Sequence, residues 1–225
     1  MTPEHDYLIA HATDLDPDGG IAFAHGVALA ERMGAPLYTF FAASSQAEAR
    51  RPMPEAQELL ARWRPGAQLE HHRVAHTCCE DPVDTLLDAM RSITPDLMVV
   101  GTHQLSGLRR LVQQSVAEGL ARNLEAPTLF LPIGQRGFVD AETGALELDT
   151  ILVPTEDPST LGPALAALGG MLRRLDLDAG QVLVLHVGPQ RPLEQLDLPE
   201  LMPGWRYTML EREGNIEQRI QDVAL

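Results

Sequence analysis

The sequence is poor in aromatic residues and in cysteine. Phenylalanine, tryptophan and tyrosine together make up 4% of the 225 residues, so a packed core must be built mainly from aliphatic side chains and methionine. The hydrophobic content of 44% allows such a core. Cys78 and Cys79 are the two cysteines, and they are adjacent. Because adjacent cysteines rarely pair, a disulfide framework is excluded, and we expect a cytoplasmic protein.

Basic residues are also few, with 17 against 32 acidic residues and a formal net charge of −15. This charge repels phosphate backbones and anionic lipids, so we expect no nucleic-acid partner and no membrane partner. A local anion site stays open, because backbone N–H groups can supply positive potential. The polar N-terminus, Met1–Asp6, has no signal-peptide pattern, and no apolar run approaches the length of a membrane span.

Short apolar segments alternate with helix-like segments along the first 135 residues. The predicted strands are Leu8–Ala12, Pro36–Ala43, His71–His76, Leu97–Val100 and Thr128–Ile133. The predicted helices are Ile21–Met33, a polar helix within Ser44–Arg64, one that starts at Asp81-Pro82 and one opened by the Ser115–Glu118 capping box. This order predicts an α/β domain with a five-stranded parallel sheet and helices on both faces, which binds ligands beyond the carboxyl ends of its strands.

The opening pattern returns near residue 150, which predicts a tandem duplication of the domain. Ile151–Glu156 repeats the pattern of Ile9–Asp14, and later segments correspond at a period of about 140 residues. We therefore predict a first domain over residues 1–135, a linker over residues 136–148, which overlaps the glycine- and charge-rich segment Gly134–Glu147, and the N-terminal part of a second domain over residues 149–225. Because the second copy stops before its fourth strand, we expect the natural chain to continue for about 40–60 residues.

Four segments of the first domain closely resemble the C-terminal half of a universal stress protein domain. They are Pro95–His103, Ser106–Leu111, Ser115–Glu118 and Ala126–Pro132. Ile9–Asp14, with the helix through Gly34, looks like the N-terminal half of such a domain. The resemblance implies a Rossmann-like domain of the adenine nucleotide alpha hydrolase-like group, a family in which tandem pairs occur and domains pair through their final strand.

ATP-binding members of this family carry the pattern Gly-x2-Gly-x9-Gly-Ser/Thr after the fourth strand. Its glycines let the backbone approach phosphates and adopt positive φ, and its end opens a helix whose N–H groups hold phosphate charge. This sequence keeps Gly101 and Ser115 but has Gln104 and Gln114 at the other two glycine positions. We therefore predict weak ATP binding and assign no cofactor, with ATP and AMP left open as ligands.

The resemblance places candidate ligand-binding residues at the strand ends and in this loop. They are Thr13, Asp14, Ala42, Val100, Gly101, His103, Gln104, Gln114, Ser115 and Val116. Some of them also have a structural interpretation, Asp14 as the cap of the turn after its strand and Ser115 as a helix cap. In the second copy Glu156 takes the place of Asp14, and the phosphate loop has no counterpart.

A metal site is not expected. The residues that could suggest zinc are His71, His72, His76, Cys78 and Cys79. Their spacing fits no standard zinc motif, and the family resemblance implies no metal.

No Ser-His-Asp arrangement or pair of catalytic acids stands out, so we predict a non-enzymatic stress-response protein with a degenerate nucleotide-binding loop. Two alternatives stay open: an ATP- or AMP-binding stress sensor, and an enzyme that hydrolyses or adenylates at a nucleotide α-phosphate. The apolar segment Thr128–Ile133 would lie at the sheet edge. We expect it to pair with the second domain or with the same strand of a second chain in a homodimer.

Overall fold

A computed structural model describes residues 7–77, 81–102, 116–157, 161–188 and 198–224 and divides the chain into two compact units, residues 1–147 and 148–225. The strands within these ranges are β1 (Ile9–Thr13), β2 (Leu37–Ala43), β3 (His71–Thr77), β4 (Leu97–Thr102), β5 (Thr128–Pro132), β6 (Thr150–Thr155), β7 (Gly180–Val187) and β8 (Trp205–Arg212). The α-helices are α1 (Gly20–Met33), α2 (Ala56–Trp63), α3 (Pro82–Arg91), α4 (Val116–Asn123), α5 (Leu161–Leu175) and α6 (Ile216–Ala224).

The first unit contains a five-stranded sheet in the order β3-β2-β1-β4-β5, in which every pair is parallel. Local sequence sets the helix ends between these strands. The Asp81 carboxylate accepts a hydrogen bond of 2.7 Å from the Val83 N–H at the start of α3, and Gly34 ends α1 with φ +63°. The predicted five-stranded parallel α/β fold is confirmed.

Each face of this sheet is covered by helices. On one face Ala10, Phe40 and Met98 pack against α3 and α4 through Leu86 and Leu120. On the other face α1 lies across the sheet, where a carbon added at Gly26 would contact the side chains of Leu37 and His11. The alternation of side chains along each strand therefore supplies both layers of the core.

Residues 136–147, predicted as part of a linker, form a hairpin that packs on the first unit. Val139 and Leu146 make an antiparallel bridge, and the side chain of Val139 is 1% exposed. The Trp63 indole N–H donates to the Ala141 carbonyl at 3.2 Å. The polar composition of this segment reflects its outer surface, while its inner surface belongs to the core of the first unit.

The second unit contains a parallel three-stranded sheet in the order β6-β7-β8. Helix α5 connects β6 to β7 and buries Leu165 and Leu172. It begins at Leu161. The strand order matches that of β1-β2-β3. Within the described ranges, no helix of either unit has the length and apolar character needed to cross a bilayer.

Candidate functional site

The order in which the chain adds strands to the sheet of the first unit reverses between β1 and β4. From β1 the chain proceeds outward to β2 and β3, and then returns to place β4 on the other side of β1. The two central strands are in register, with Ala12 opposite Val100, and their carboxyl ends lie side by side. In parallel α/β sheets this switch point leaves a crevice beyond the strand ends, which is where ligands bind.

A cavity of about 580 Å³ lies at this switch point. Its lining residues are His11, Ala12, Thr13, Asp14, Gly19, Phe41, Ala42, Glu48, Pro82, Leu86, Val100, Gly101, Thr102, Val116, Ala117, Leu120 and Ile133. The structure thus places six of the predicted site residues at this cavity: Thr13, Asp14, Ala42, Val100, Gly101 and Val116. The other four, His103, Gln104, Gln114 and Ser115, lie outside the described residues.

The polar end of β1 is held by short-range hydrogen bonds. The Thr13 hydroxyl oxygen accepts from the Leu15 N–H at 3.0 Å, and Asp14 Oδ1 accepts from the Asp16 N–H at 2.9 Å. Asp16 in turn accepts from the Asp18 N–H at 2.9 Å. The capping role considered for Asp14 is therefore present, and the same carboxylate lines the cavity. The loop fixes its position relative to the strand end.

Glu48 is a second carboxylate at the cavity, and sequence reasoning missed it. Its Oε2 accepts hydrogen bonds from the Ser44 N–H at 2.7 Å and from the Ser44 hydroxyl at 2.5 Å. These hydrogen bonds lower the pKa of Glu48, with a smaller contribution in the same direction from Arg51. The side chain is therefore an anion with a fixed orientation. It follows β2 by five residues on a short 3₁₀ turn, a position that no local pattern marks.

His11 lies inside β1 and is 1% exposed. Its Nδ1–H donates to the Val99 carbonyl at 2.9 Å, which assigns the lone pair to Nε2. Burial lowers the pKa of His11 to about 4, so the ring is neutral at pH 7. Nε2 is buried and has no hydrogen-bond partner among the described residues. His11 therefore adds a neutral aromatic ring to the cavity wall and carries no charge toward a ligand. The signal that could have found it is a histidine between apolar residues of a strand.

Gly101 lies on the cavity wall where β4 ends, and its role is spatial. It is not among the positive-φ glycines of the described chain, so the left-handed backbone associated with the glycine loop does not apply at this position. A carbon added there would lie 3.5 Å from the Ile133 side chain and 3.7 Å from Ala22 Cβ, both ordinary contact distances. The glycine keeps this stretch of wall flat next to β1.

Two helices begin at the cavity. Pro82 and Val116 are the first residues of α3 and α4, and both line it. The N–H groups of a first helical turn have no partner within the helix and carry partial positive charge, so they can hold one anionic group. In α3 this position is already used, because Pro82 has no N–H and the Val83 N–H donates to the Asp81 carboxylate. At the described wall the start of α4 is therefore the helix end that can serve a ligand.

Among the described lining residues there is no arginine, and the whole sequence contains no lysine. Arg51 is not a lining residue, but it lies 3.7 Å from the Glu48 carboxylate and offsets part of its charge. Positive potential on the described wall itself therefore comes from backbone groups.

A Thr-His-Glu arrangement occurs away from the cavity and has a structural role. His71 Nε2 lies 2.9 Å from the Thr39 hydroxyl oxygen, and Nδ1 lies 3.3 Å from Glu55 Oε1. The Ala56 N–H donates to His71 Nδ1 at 3.2 Å, so the neutral ring carries its proton on Nε2 and cannot accept one from Thr39. Thr39 is also 0% exposed, which closes it to substrate. His71 joins β2, β3 and the start of α2.

The described residues contain no group of three or more histidine, cysteine or acidic side chains with metal-binding geometry. The side chains of His71 and His72 have separate partners. His71 contacts Thr39 and Glu55, whereas His72 stacks on Tyr38 with ring centroids 4.3 Å apart. Cys78 and Cys79 lie outside the described residues.

Comparison with known proteins identifies one family. Residues 9–132 match the model of the universal stress protein family. A universal stress protein from Archaeoglobus fulgidus DSM 4304 superposes with a TM-score of 0.60 at 12% identity, covering 96% of this chain and 84% of that one. The fold is therefore shared across both units. No match was found among curated proteins.

Other solved structures match a little over half of this chain. A universal stress protein in complex with cAMP is 23% identical, with a TM-score of 0.48, and covers 57% of this chain and 98% of its own. A universal stress protein from Archaeoglobus fulgidus in complex with dAMP is 20% identical, with a TM-score of 0.36, and covers 55% and 96%.

Proposed function

We propose that this chain, which belongs to the universal stress protein family, is a non-enzymatic stress-response protein whose first unit binds an adenine nucleoside or mononucleotide in preference to ATP. The ligand would occupy the cavity at the carboxyl ends of β1 and β4. The observation that carries the proposal is the composition of the described cavity wall. It combines an apolar interior with two carboxylates and no cationic side chain.

The size and the walls of the cavity suit an adenine ring and a ribose. A volume of about 580 Å³ lies within the range of small-molecule pockets, roughly 300–1,000 Å³. Ala42, Val100 and Leu120 supply apolar surface for the base. Asp14 and Glu48 supply acceptors for ribose hydroxyl groups, a pairing in which the ligand donates to an ionised oxygen.

Charge favours a ligand with few phosphates. Each additional phosphate brings negative charge toward Asp14 and Glu48, and the attraction available from the described wall is that of the α4 N-terminus, since Asp81 already caps α3. One phosphate can be held in this way, whereas a triphosphate requires the compensation that the loop glycines give in ATP-binding relatives. Gln104 and Gln114 stand at two of those glycine positions. The charge of the wall and the sequence of the loop therefore both favour a ligand with at most one phosphate over ATP.

The absence of an enzymatic role is supported by the chemistry of the described wall. Its one histidine, His11, has its Nδ1 engaged with a backbone carbonyl and its Nε2 buried. Thr13, the hydroxyl at the end of β1, has no imidazole hydrogen-bonded to it among the described contacts. The described wall therefore has no imidazole placed against a nucleophile, and its two carboxylates, Asp14 and Glu48, are engaged by the N–H groups of Asp16 and Ser44.

The second unit has the topology of the first part of the first unit. Its order β6-β7-β8, with α5 between β6 and β7, corresponds to β1-β2-β3 with α1 between β1 and β2. We take it as the N-terminal part of a second copy of the same domain.

Equilibrium calorimetry with adenosine, AMP, cAMP and ATP tests the proposal on the full chain. We expect measurable binding of adenosine and AMP and at least several-fold weaker binding of ATP, with no release of phosphate or pyrophosphate during incubation. cAMP is included because it is the ligand of one of the solved family structures. The double substitution Gln104→Gly with Gln114→Gly should improve ATP binding and leave adenosine binding unchanged. Micromolar or tighter ATP binding by the unaltered chain, or turnover of ATP, would contradict the proposal.

A further inference from the structure

The hairpin of residues 136–147 has its own internal structure. The Asp140 N–H donates to the Ala145 carbonyl at 2.9 Å, and the Glu147 N–H donates to the Phe138 carbonyl at 2.8 Å. Asp140 Oδ1 accepts from the Thr143 N–H at 2.8 Å and closes the turn. The hairpin is therefore held together by its own hydrogen bonds.

A side chain of α1 contributes to holding this element on the first unit, together with the buried Val139 and the Trp63 indole. His25 Nε2 accepts hydrogen bonds from the N–H groups of Phe138 at 3.0 Å and Val139 at 3.1 Å. The ring of Phe138 meets the imidazole edge-on, with centroids 4.7 Å apart. At Gly137 the hairpin backbone lies directly against the imidazole, since an added carbon would come within 2.5 Å of Nε2. His25 is 0% exposed.

The hydrogen bonds of His25 require the neutral ring in one tautomer. Its Nδ1 lies 2.8 Å from the Ile21 carbonyl, so Nδ1 carries the proton and donates. Nε2 then has the lone pair that both hairpin N–H groups share. A second proton on Nε2 would turn this acceptor into a donor that faces two donors at about 3 Å. Protonation would therefore remove both hydrogen bonds and place three N–H groups against one another.

Among the residues that the structure describes, no charged side chain near His25 offsets this effect. The pKa of His25 is lowered by burial, against a smaller raising effect of the Ile21 carbonyl, and no charged group among the described residues contributes. The charges of the hairpin pair with one another, since Arg136 lies 2.7 Å from Glu147 and 3.5 Å from Asp140. The other neighbours, Leu131 of β5 and the helix α1 itself, are apolar at this point.

We propose that His25 is an acid-sensitive latch, which holds the 136–147 hairpin on the first unit while Nε2 is unprotonated and releases it when Nε2 takes up a proton. The hairpin is held most strongly on the first unit above pH 6.5, the ordinary pKa of histidine. Its stability falls as the pH drops from 6.5 through the lowered pKa of the closed state, because the open form takes up a proton that the closed form excludes. Within that window the open fraction rises by up to about tenfold per pH unit. Because the hairpin directly precedes Leu148, release lengthens the free connection between the two units.

Amide hydrogen exchange of the full chain, followed by NMR between pH 7 and pH 4.5, tests the latch. After correction for intrinsic rates, we expect the exchange of the Phe138 and Val139 amides to rise by up to about tenfold per pH unit below 6.5. Amides of the central strands, such as those of Ala10 and Val99, should keep their protection over the same range. The same spectra report the tautomer of His25, which should change from Nδ1–H to the doubly protonated ring as the hairpin opens.

A matched pair of variants separates the latch from general acid sensitivity. His25→Phe keeps an aromatic ring but lacks the acceptor, so its hairpin amides should exchange rapidly at every pH. His72→Phe alters an exposed histidine of β3 and should behave as the unaltered chain. In a Trp205→Phe background, fluorescence of Trp63, which contacts the hairpin, gives an independent record of release.

The proposal is overturned if the two hairpin amides keep their protection while His25 titrates, or if they lose it only together with the central strands. It is also overturned if His25→Phe shows the same pH profile as the unaltered chain. The tautomer and exchange measurements need only the unaltered protein, so they decide the question even if His25→Phe does not fold.

Discussion

Substitution of His11 gives the sharpest test of how the cavity wall is built. His11 is fully buried in the central strand, and burial lowers its pKa from 6.5 to about 4. Above pH 6.5 the histidine is neutral in both the folded and the unfolded chain, and the folded state has its full stability. As the pH falls from 6.5 to about 4, the unfolded chain takes up a proton that the folded chain excludes, so the free energy of unfolding decreases. A pKa difference of this size corresponds to about 3 kcal/mol in total, of which about 2 kcal/mol is lost by pH 5.

His11→Leu removes the titrating group and keeps a side chain of similar volume. At pH 7 the variant loses the hydrogen bond to Val99, a net loss of about 1 kcal/mol, and gains by removing the unpartnered Nε2. The two effects oppose each other, so we expect stability close to that of the unaltered chain. At pH 5 the variant should be the more stable protein by about 2 kcal/mol, since it takes up no proton at this position on unfolding.

Urea unfolding at pH 7, 6, 5 and 4.5, followed by the far-ultraviolet circular dichroism of both proteins, measures this difference. His25 and His71 also have lowered pKa values, but they are present in both proteins and cancel in the comparison. Parallel stability curves for the two proteins across this range would refute the reasoning, because they would mean that His11 titrates at its ordinary pKa in the folded state.

Three further predictions concern the cavity, the hairpin and the sheet edge. Glu48→Gln keeps the hydrogen bond with Ser44 and removes one negative charge from the cavity wall. Adenosine should bind somewhat more weakly, because a ribose hydroxyl then donates to a neutral oxygen, whereas the affinity for ATP relative to adenosine should rise roughly 2- to 5-fold in calorimetry at low ionic strength; an equal change for both ligands would contradict the electrostatic account. Gly144→Ala places a carbon 2.5 Å from the ring of Trp63 at a backbone φ of +70°. The hairpin amides should therefore lose about 2–4 kcal/mol of protection against hydrogen exchange. Retention of full protection would show that the Trp63 ring moves aside at little cost. Phe130 is 41% exposed on the edge strand Thr128–Pro132, so if that edge pairs two chains, Phe130→Glu should lower the mass found by light scattering from dimer to monomer, and an unchanged mass would remove this strand from the interface.

The fold could be predicted because its signals are local. Apolar strands such as Leu97–Thr102 are buried on both faces, and therefore appear as continuous apolar runs. The start of α3 is fixed by Asp81 and Pro82, two adjacent residues whose preferences agree. The sheet order follows from the family resemblance and from the alternation of strands and helices. Placement of Ala42 and Val100 at the cavity then follows from the sheet.

What could not be predicted depends on contacts between distant residues. The hairpin has the composition of a linker, and its attachment depends on His25, which lies 114 residues before Val139. Glu48 reaches the cavity because Ser44 holds its carboxylate, and neither residue belongs to a recognised motif. Gly101 lines the cavity, but the reasoning from the glycine loop does not explain its position: it has no positive φ, and an added carbon would meet Ile133 and Ala22 at ordinary contact distances.

The central claim is that the cavity at the ends of β1 and β4 binds an adenine nucleoside or mononucleotide. Titration of the full chain with AMP, followed by two-dimensional amide NMR, tests it most directly. The account predicts saturable shifts at the amides of Thr13, Ala42 and Gly101, which line the cavity, and none in β8 of the second unit. A spectrum that stays unchanged at millimolar AMP and millimolar adenosine, or shifts that cluster away from these strand ends, would contradict it.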